Sequence, residues 1–272
     1  MSRIQPTLEK LATQGKKALI PYLMAGFPSA DATLGLLQGL VAGGADILEI
    51  GIPFSDPMAD GPVIQKAAER AIQNGVGLSQ VLSMVHEFRL KDQHTPIVLM
   101  GYANPCEQYD LQHGLHAFID HASRCGVDGV LIVDYPPAEC TEFAQELRKH
   151  AMDLIFLLAP TSTEKRILEV AQIASGYVYY VSLKGVTGAG HLNTDEVKSM
   201  LGKIRKHVKI PVGVGFGIRD QKTAKTVSQD ADAVVIGTRL LEIIKEAAPS
   251  NAPEVAQSFM AQIRVAMDES SV

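Results

Sequence analysis

Glu49 stands inside Ile47-Leu48-Glu49-Ile50-Gly51, a run in which every neighbour is suited to burial. A carboxylate in such company must be paired, neutralised or used. Read as a strand, the run puts Glu49 on the same face as Ile47 and Gly51. Partial burial raises a carboxyl pKa towards neutrality, which suits a group that both takes and gives a proton. The competing reading is a carboxylate pinned by backbone amides or a basic residue. The next ten residues, Pro53-Phe54-Ser55-Asp56-Pro57-Met58-Ala59-Asp60-Gly61-Pro62, hold three prolines and two aspartates, so the loop is stiff and shaped. Asp56 reads as a turn residue. Asp60 has two readings from its spacing: a catalytic group, or capping chemistry, since Asp-Gly-Pro precedes an amphipathic stretch. Glu49, Asp56 and Asp60 together are oxygen donors of a kind magnesium takes, but their spacing is not diagnostic.

A second kind of chemistry is suggested by glycines further along. Gly185-Val186-Thr187-Gly188-Ala189-Gly190, Gly215-Phe216-Gly217-Ile218 and Gly237-Thr238 each follow or end an apolar run. Such segments let backbone N–H groups approach a phosphate, helped by a helix amino terminus. Gly213-Val214-Gly215-Phe216-Gly217 lacks the third glycine of a dinucleotide fingerprint and has no acidic residue suitably placed after it. Lys184 is placed where a Schiff-base aldolase carries its nucleophile, and an exposed loop lysine is the plainer reading. His113 and His116 have helical i, i+3 spacing, with His121 nearby, which also fits an outer helix surface. Cys106, Cys125 and Cys140 form no CxxC pair and read as reduced thiols.

These residues need a scaffold, and the sequence supplies one. Eight short apolar runs recur at intervals that accommodate strand, loop and helix: 18–24, 46–51, 97–102, 129–134, 154–159, 177–183, 211–216 and 233–238. Most are continuously hydrophobic, as parallel strands covered on both faces must be. Between them, amphipathic stretches at 32–42, 62–73, 79–90, 195–207 and 220–229 predict helices, and 3–14 predicts an extra helix over a barrel floor. Eight strands alternating with helices, without a composition break, imply one (β/α)8 TIM-barrel domain over residues 1–272, a length that suits this fold. The interval after the second run is long enough for a loop and two helices, and loops at the carboxyl ends of barrel strands carry active sites. Glu49 would then project into the barrel mouth. The composition, 46% hydrophobic and 20% charged with a formal charge of −5, reads as globular, with no basic stripe for nucleic acid and no run long enough to span a bilayer. The amino end lacks an export signal, so the cytoplasm is the expected location.

Leu48-Glu49-Ile50-Gly51-Ile52-Pro53-Phe54-Ser55-Asp56-Pro57-Met58-Ala59-Asp60-Gly61-Pro62, with Gly185-Val186-Thr187-Gly188 and Gly215-Phe216-Gly217-Ile218, closely resembles the tryptophan synthase alpha subunit family, and the resemblance extends over nearly the whole chain. It implies a lyase that cleaves indole-3-glycerol phosphate to indole and glyceraldehyde 3-phosphate in tryptophan biosynthesis, with no metal or organic cofactor of its own. By position in the motif, Glu49 would be the acid–base group and Asp60 would accept a hydrogen bond from the indole N–H. The resemblance places Tyr22, Ile64, Met100, Tyr102, Leu131, Tyr179, Thr187 and Phe216 around the substrate, and Gly188, Gly217, Gly237 and Thr238 against its phosphate. Family members often carry Phe where Tyr22 stands and Ser where Thr238 stands. The resemblance also implies an α2β2 complex with a pyridoxal-phosphate beta subunit, and closure of the loops around 53–60 and 187–192 over substrate. Rival readings are another phosphate-binding barrel, either an aldolase using Lys184 or an isomerase using Glu49 as base, and a regulatory subunit that only binds phosphate.

Overall fold

A computed structural model describes residues 2–182, 194–215 and 217–269. Among these, nine parallel strands lie in one sheet: β1 (Ala18–Met24), β2 (Leu48–Gly51), β3 (Ile97–Gly101), β4 (Gly129–Ile132), β5 (Asp153–Leu154), β6 (Phe156–Leu158), β7 (Val178–Val181), β8 (Val212–Gly215) and β9 (Ala233–Ile236). Their order, β5-β4-β3-β2-β1-β9-β8-β7-β6, leaves the two halves of the fifth predicted run at opposite ends of the sheet. That run is therefore one barrel strand split at Ile155. Its first half pairs with β4 and its second with β7. The Ile155 N–H still donates to the Val130 carbonyl at 2.9 Å, so the barrel closes through this strand. The expected TIM barrel is what is found, with the fifth run divided in two.

Helices follow the punctuation of the sequence. The first, α1 (Ile4–Thr13), buries Ile4, Leu8 and Leu11 at i, i+4 and i+7, one face of a helix. These three share a cluster with Ala18, Ile20, Ile47, Val98 and Ala233, the inward residues of the strands, so α1 plugs the barrel floor. Asp128, 1% exposed, secures the plug. Its carboxylate accepts from the Arg3 backbone and guanidinium, from Arg89 and from the Ile97 N–H, each at 2.9 Å.

Outside the strands lie α2 (Ala32–Ala42), α3 (Pro62–Gln73) and α4 (Leu78–Arg89), then α5 (Ala103–His113) and α6 (Ala117–Cys125). After a short 3-10 turn come α7 (Thr141–Lys149), α8 (Glu164–Ile173), α9 (Thr194–His207), α10 (Gln221–Ser228), α11 (Thr238–Glu246) and α12 (Ala252–Asp268). The interval after β2 holds a loop and two helices, as its length predicts. No described helix is long and apolar enough to cross a membrane. The three cysteines are free thiols, Cys106 and Cys140 buried and Cys125 half-buried.

Candidate active site

The site is built on the inward face of β1, β2, β3 and β7. Parallel pairing sets Tyr22 of β1 beside Glu49 of β2, and Glu49 beside Val98 of β3. Alternation along β2 makes Leu48 and Ile50 pack outward with the helices while Glu49 points inward. Glu49 is 1% exposed. Its Oε1 accepts a 2.5 Å hydrogen bond from the Tyr177 hydroxyl, and its Oε2, equally buried, has no partner among the described residues. Burial raises the Glu49 pKa from 4.5 to about 7, with the Tyr177 bond working weakly in the opposite direction. Among the described residues, no basic side chain or backbone amide hydrogen-bonds the carboxylate.

Asp60 lies in the loop after β2. Within that loop the Met58 N–H donates to the Asp56 carbonyl and the Asp60 N–H to the Pro57 carbonyl, and Ser55 bonds the Asp56 carboxylate. Asp56 is thus a turn residue. The cap position of α3 belongs to Gly61, with no side-chain capping bond and proline in the first turn. Asp60 is one residue too early to cap. Its carboxylate is reached instead by the Tyr102 hydroxyl, which also accepts the Ala59 N–H at 3.0 Å. Burial raises the Asp60 pKa from 3.8 to about 6, with Tyr102 holding it down.

Asp60, Tyr22, Met100 and Tyr102 line one narrow cleft, together with Met24, Ile52 and Phe54. It holds about 260 Å3 of space between atoms, the open solvent at its entrance included. Phe54 and Tyr102 hold their rings 5.5 Å apart at its rim. Leu131 and Tyr179 lie in the barrel interior, in the cluster against which Met100 packs. Ile64, on α3, packs against the outer core and does not line this cleft. Two inward glycines make room for tyrosine hydroxyls. A Cβ on Gly51 would sit 2.2 Å from the Tyr22 hydroxyl, and one on Gly215 would sit 2.3 Å from that of Tyr179.

The candidate phosphate cradle is partly described. Gly215 of β8 and Val235 of β9 are register partners, so Gly217 and Gly237 each follow two residues beyond a matched pair. Gly217 has φ +78°, a conformation that glycine adopts without strain. Gly237 is the amino-terminal cap residue of α11, whose first residue is Thr238. No side chain caps this helix start, and the first-turn N–H groups of a helix are the kind of donor that anions take. Lys184, Thr187, Gly188 and Phe216 lie outside the described residues. The histidines cluster away from the mouth: His121 Nδ1 lies 2.8 Å from the Tyr109 hydroxyl, and the His113 ring stacks on Tyr109 at 4.2 Å.

Tyr177 is the site residue that sequence reasoning missed. The signal was present, since Tyr177 precedes Tyr179 by two residues and so shares its inward face. The order of the runs places the second opposite the sixth, but nothing in the sequence indicated which inward side chain would reach Glu49.

A parallel barrel with one buried carboxylate poised near neutrality and a second in an aromatic cleft, next to a helix start at Gly237, is a (β/α)8 enzyme of acid–base chemistry. The model of the family described as tryptophan synthase alpha chain matches residues 8–270. The chain is 61% identical to the tryptophan synthase alpha chain of Polaromonas naphthalenivorans (strain CJ2) over 272 residues, covering 98% of this chain and all of that one. It is 59% identical to that of Acidovorax ebreus (strain TPSY), with 98% of this chain and 100% of the relative covered. The crystal structure of tryptophan synthase subunit alpha from Legionella pneumophila str. Paris superposes with a TM-score of 0.89 at 40% identity, covering 99% of each chain. The chain belongs to the tryptophan synthase alpha chain family.

Proposed function

We propose that the chain cleaves indole-3-glycerol phosphate to indole and glyceraldehyde 3-phosphate by a retro-aldol reaction, as the alpha subunit of a tryptophan synthase in the cytoplasm. The observation that carries this reading is Glu49, buried inside the barrel, with one oxygen held by Tyr177 and the other without a partner among the described residues. With a pKa of about 7 it has both protonation states at hand near neutral pH.

The protonated form gives its proton to carbon 3 of the indole, which becomes tetrahedral and leaves an indolenine cation. The carboxylate so formed takes the proton of the glycerol hydroxyl next to the ring. The O–H electrons become the aldehyde C=O, and the electrons of the breaking carbon–carbon bond return to the ring. One proton enters and one leaves. Asp60, ionised above about pH 6, accepts the ring N–H and stabilises the charge that develops there. The ring is its own electron sink, so these steps run on the chain's own side chains.

Tyr22, Met100, Tyr102, Leu131, Tyr179, Thr187 and Phe216 surround the substrate in this reading, and Ile64, which does not line the cleft, packs on α3. Gly188, Gly217, Gly237 and Thr238 hold the phosphate, and the start of α11 at Thr238 supports that placement. The partner is a beta subunit that carries pyridoxal phosphate and joins indole to serine in an α2β2 assembly. Met58, 81% exposed on the loop that bears Asp60, is an apolar contact suited to a docked protein.

The test is to supply indole-3-glycerol phosphate and follow indole or triose phosphate, with and without a beta subunit. Cleavage is expected. Glu49→Gln should nearly abolish it while a phosphate ligand still binds. Absence of turnover under both conditions refutes the proposal.

A further inference from the structure

The Tyr22 hydroxyl is a polar group that the mechanism above does not use. Tyr22 is 5% exposed, and its ring leans from β1 over β2 so that the hydroxyl occupies the space above Gly51. That places it at the root of the loop that carries Asp60. Met24, Ile52 and Met100 line the same cleft, with Asp60 and Tyr102 as its other polar side chains. Among the described residues, no hydrogen bond joins the hydroxyl to another side chain or to the backbone. Burial, with Asp60 and Glu49 nearby, pushes its pKa well above 10, so it stays a neutral O–H that can donate and accept.

The other two polar groups of the cleft are occupied. Tyr102 takes the Ala59 N–H and reaches Asp60, and Asp60 is needed for the ring N–H. Tyr22 is the remaining group without work. When a flat ring seals the cleft, this hydroxyl loses what access to water it has, and a hydroxyl left unpaired in dry surroundings is costly. A ring that brings its own hydrogen-bonding atom to that point removes the cost. Sites that offer a buried hydrogen-bonding group discriminate against ligands unable to use it.

We propose that Tyr22 is a specificity-determining residue whose hydroxyl gives the ring pocket a second polar contact, selecting indoles that carry a nitrogen or hydroxyl on the benzenoid ring. Geometry supports a contact already present in the bound ground state, because the hydroxyl is fixed by the close fit of the ring over Gly51. Its effect belongs in KM more than in kcat. This inference rests on the indole reading of the site.

The test runs the reaction in reverse, condensing glyceraldehyde 3-phosphate with indole, the aza-indole isomers and the ring-hydroxylated indoles, with a beta subunit present and serine omitted. The wild type is compared with Tyr22→Phe, and each ring is normalised to indole within the same protein. For the isomer whose polar atom meets Tyr22, the wild type should show a kcat/KM advantage over Tyr22→Phe of roughly 3- to 10-fold, the range of one net hydrogen bond, carried by KM. Normalised preferences that coincide in the two proteins for every isomer overturn the inference. Indole condensing normally in that case leaves the proposed function standing. Failure of indole itself to condense in the wild type overturns both.

Discussion

Glu49→Gln should make the protein more stable while it destroys activity, and the gain should depend on pH. The folded-state pKa of Glu49 is raised from 4.5 to about 7 by burial. A carboxyl whose folded pKa lies above its unfolded value binds its proton more tightly when folded. Its contribution is thus fully present below about pH 4.5 and is lost as pH rises through 7. A shift of this size corresponds to about 3 kcal/mol at full ionisation, at 1.36 kcal/mol per pKa unit. Roughly 2–3 kcal/mol of that loss falls between pH 5 and pH 8.5. Glutamine keeps an acceptor for the Tyr177 hydroxyl and cannot ionise, so the variant escapes the loss. The assay is urea unfolding of both proteins at the two pH values, with other titrating groups cancelling in the difference. The variant should gain about 2–3 kcal/mol relative to wild type on going from pH 5 to pH 8.5, equivalent to several degrees in Tm. A stability difference that is the same at both pH values would refute the burial argument and remove the physical basis for Glu49 as a proton carrier.

Asp60→Asn should cost severe loss of rate with Tm unchanged or slightly raised, because Gly61 and not Asp60 occupies the cap of α3; a large fall in Tm in thermal unfolding would restore the capping reading. Tyr102→Phe removes a hydrogen bond that holds the Asp60 pKa down near 6, so the acid limb of the kcat/KM profile should move to higher pH, and an unmoved limb would contradict the assignment. On the barrel floor, Asp128→Ala strands the buried Arg89 and unties Arg3. It should cost about 3–5 kcal/mol in denaturant unfolding, while kcat at a temperature where the variant is folded stays near that of wild type.

Most of the scaffold, and the buried carboxylate at Glu49, could be read from the order and spacing of residue types. Buried parallel strands must be continuously apolar, so the strands announced themselves, and helix ends were marked by glycine and proline at 43–44, 62 and 74–75. The isolated carboxylate at Glu49 was legible for the same reason, since its neighbours left it nowhere to be solvated. Local patterning could not separate cap from catalysis at Asp60, because both readings demand the same residue before the same helix. Only the register of the α3 start, one residue later, takes Asp60 out of the cap position. The division of the fifth strand at Ile155 was likewise invisible, because it lies in which neighbour each half pairs with, β4 or β7, and residue type does not report that. The same limit hid Tyr177 as the partner of Glu49, 128 residues away. Closure of the barrel brings β2 and β7 face to face, and hydrophobic periodicity, which reports only whether a side chain points inward, carries no information about what it meets there.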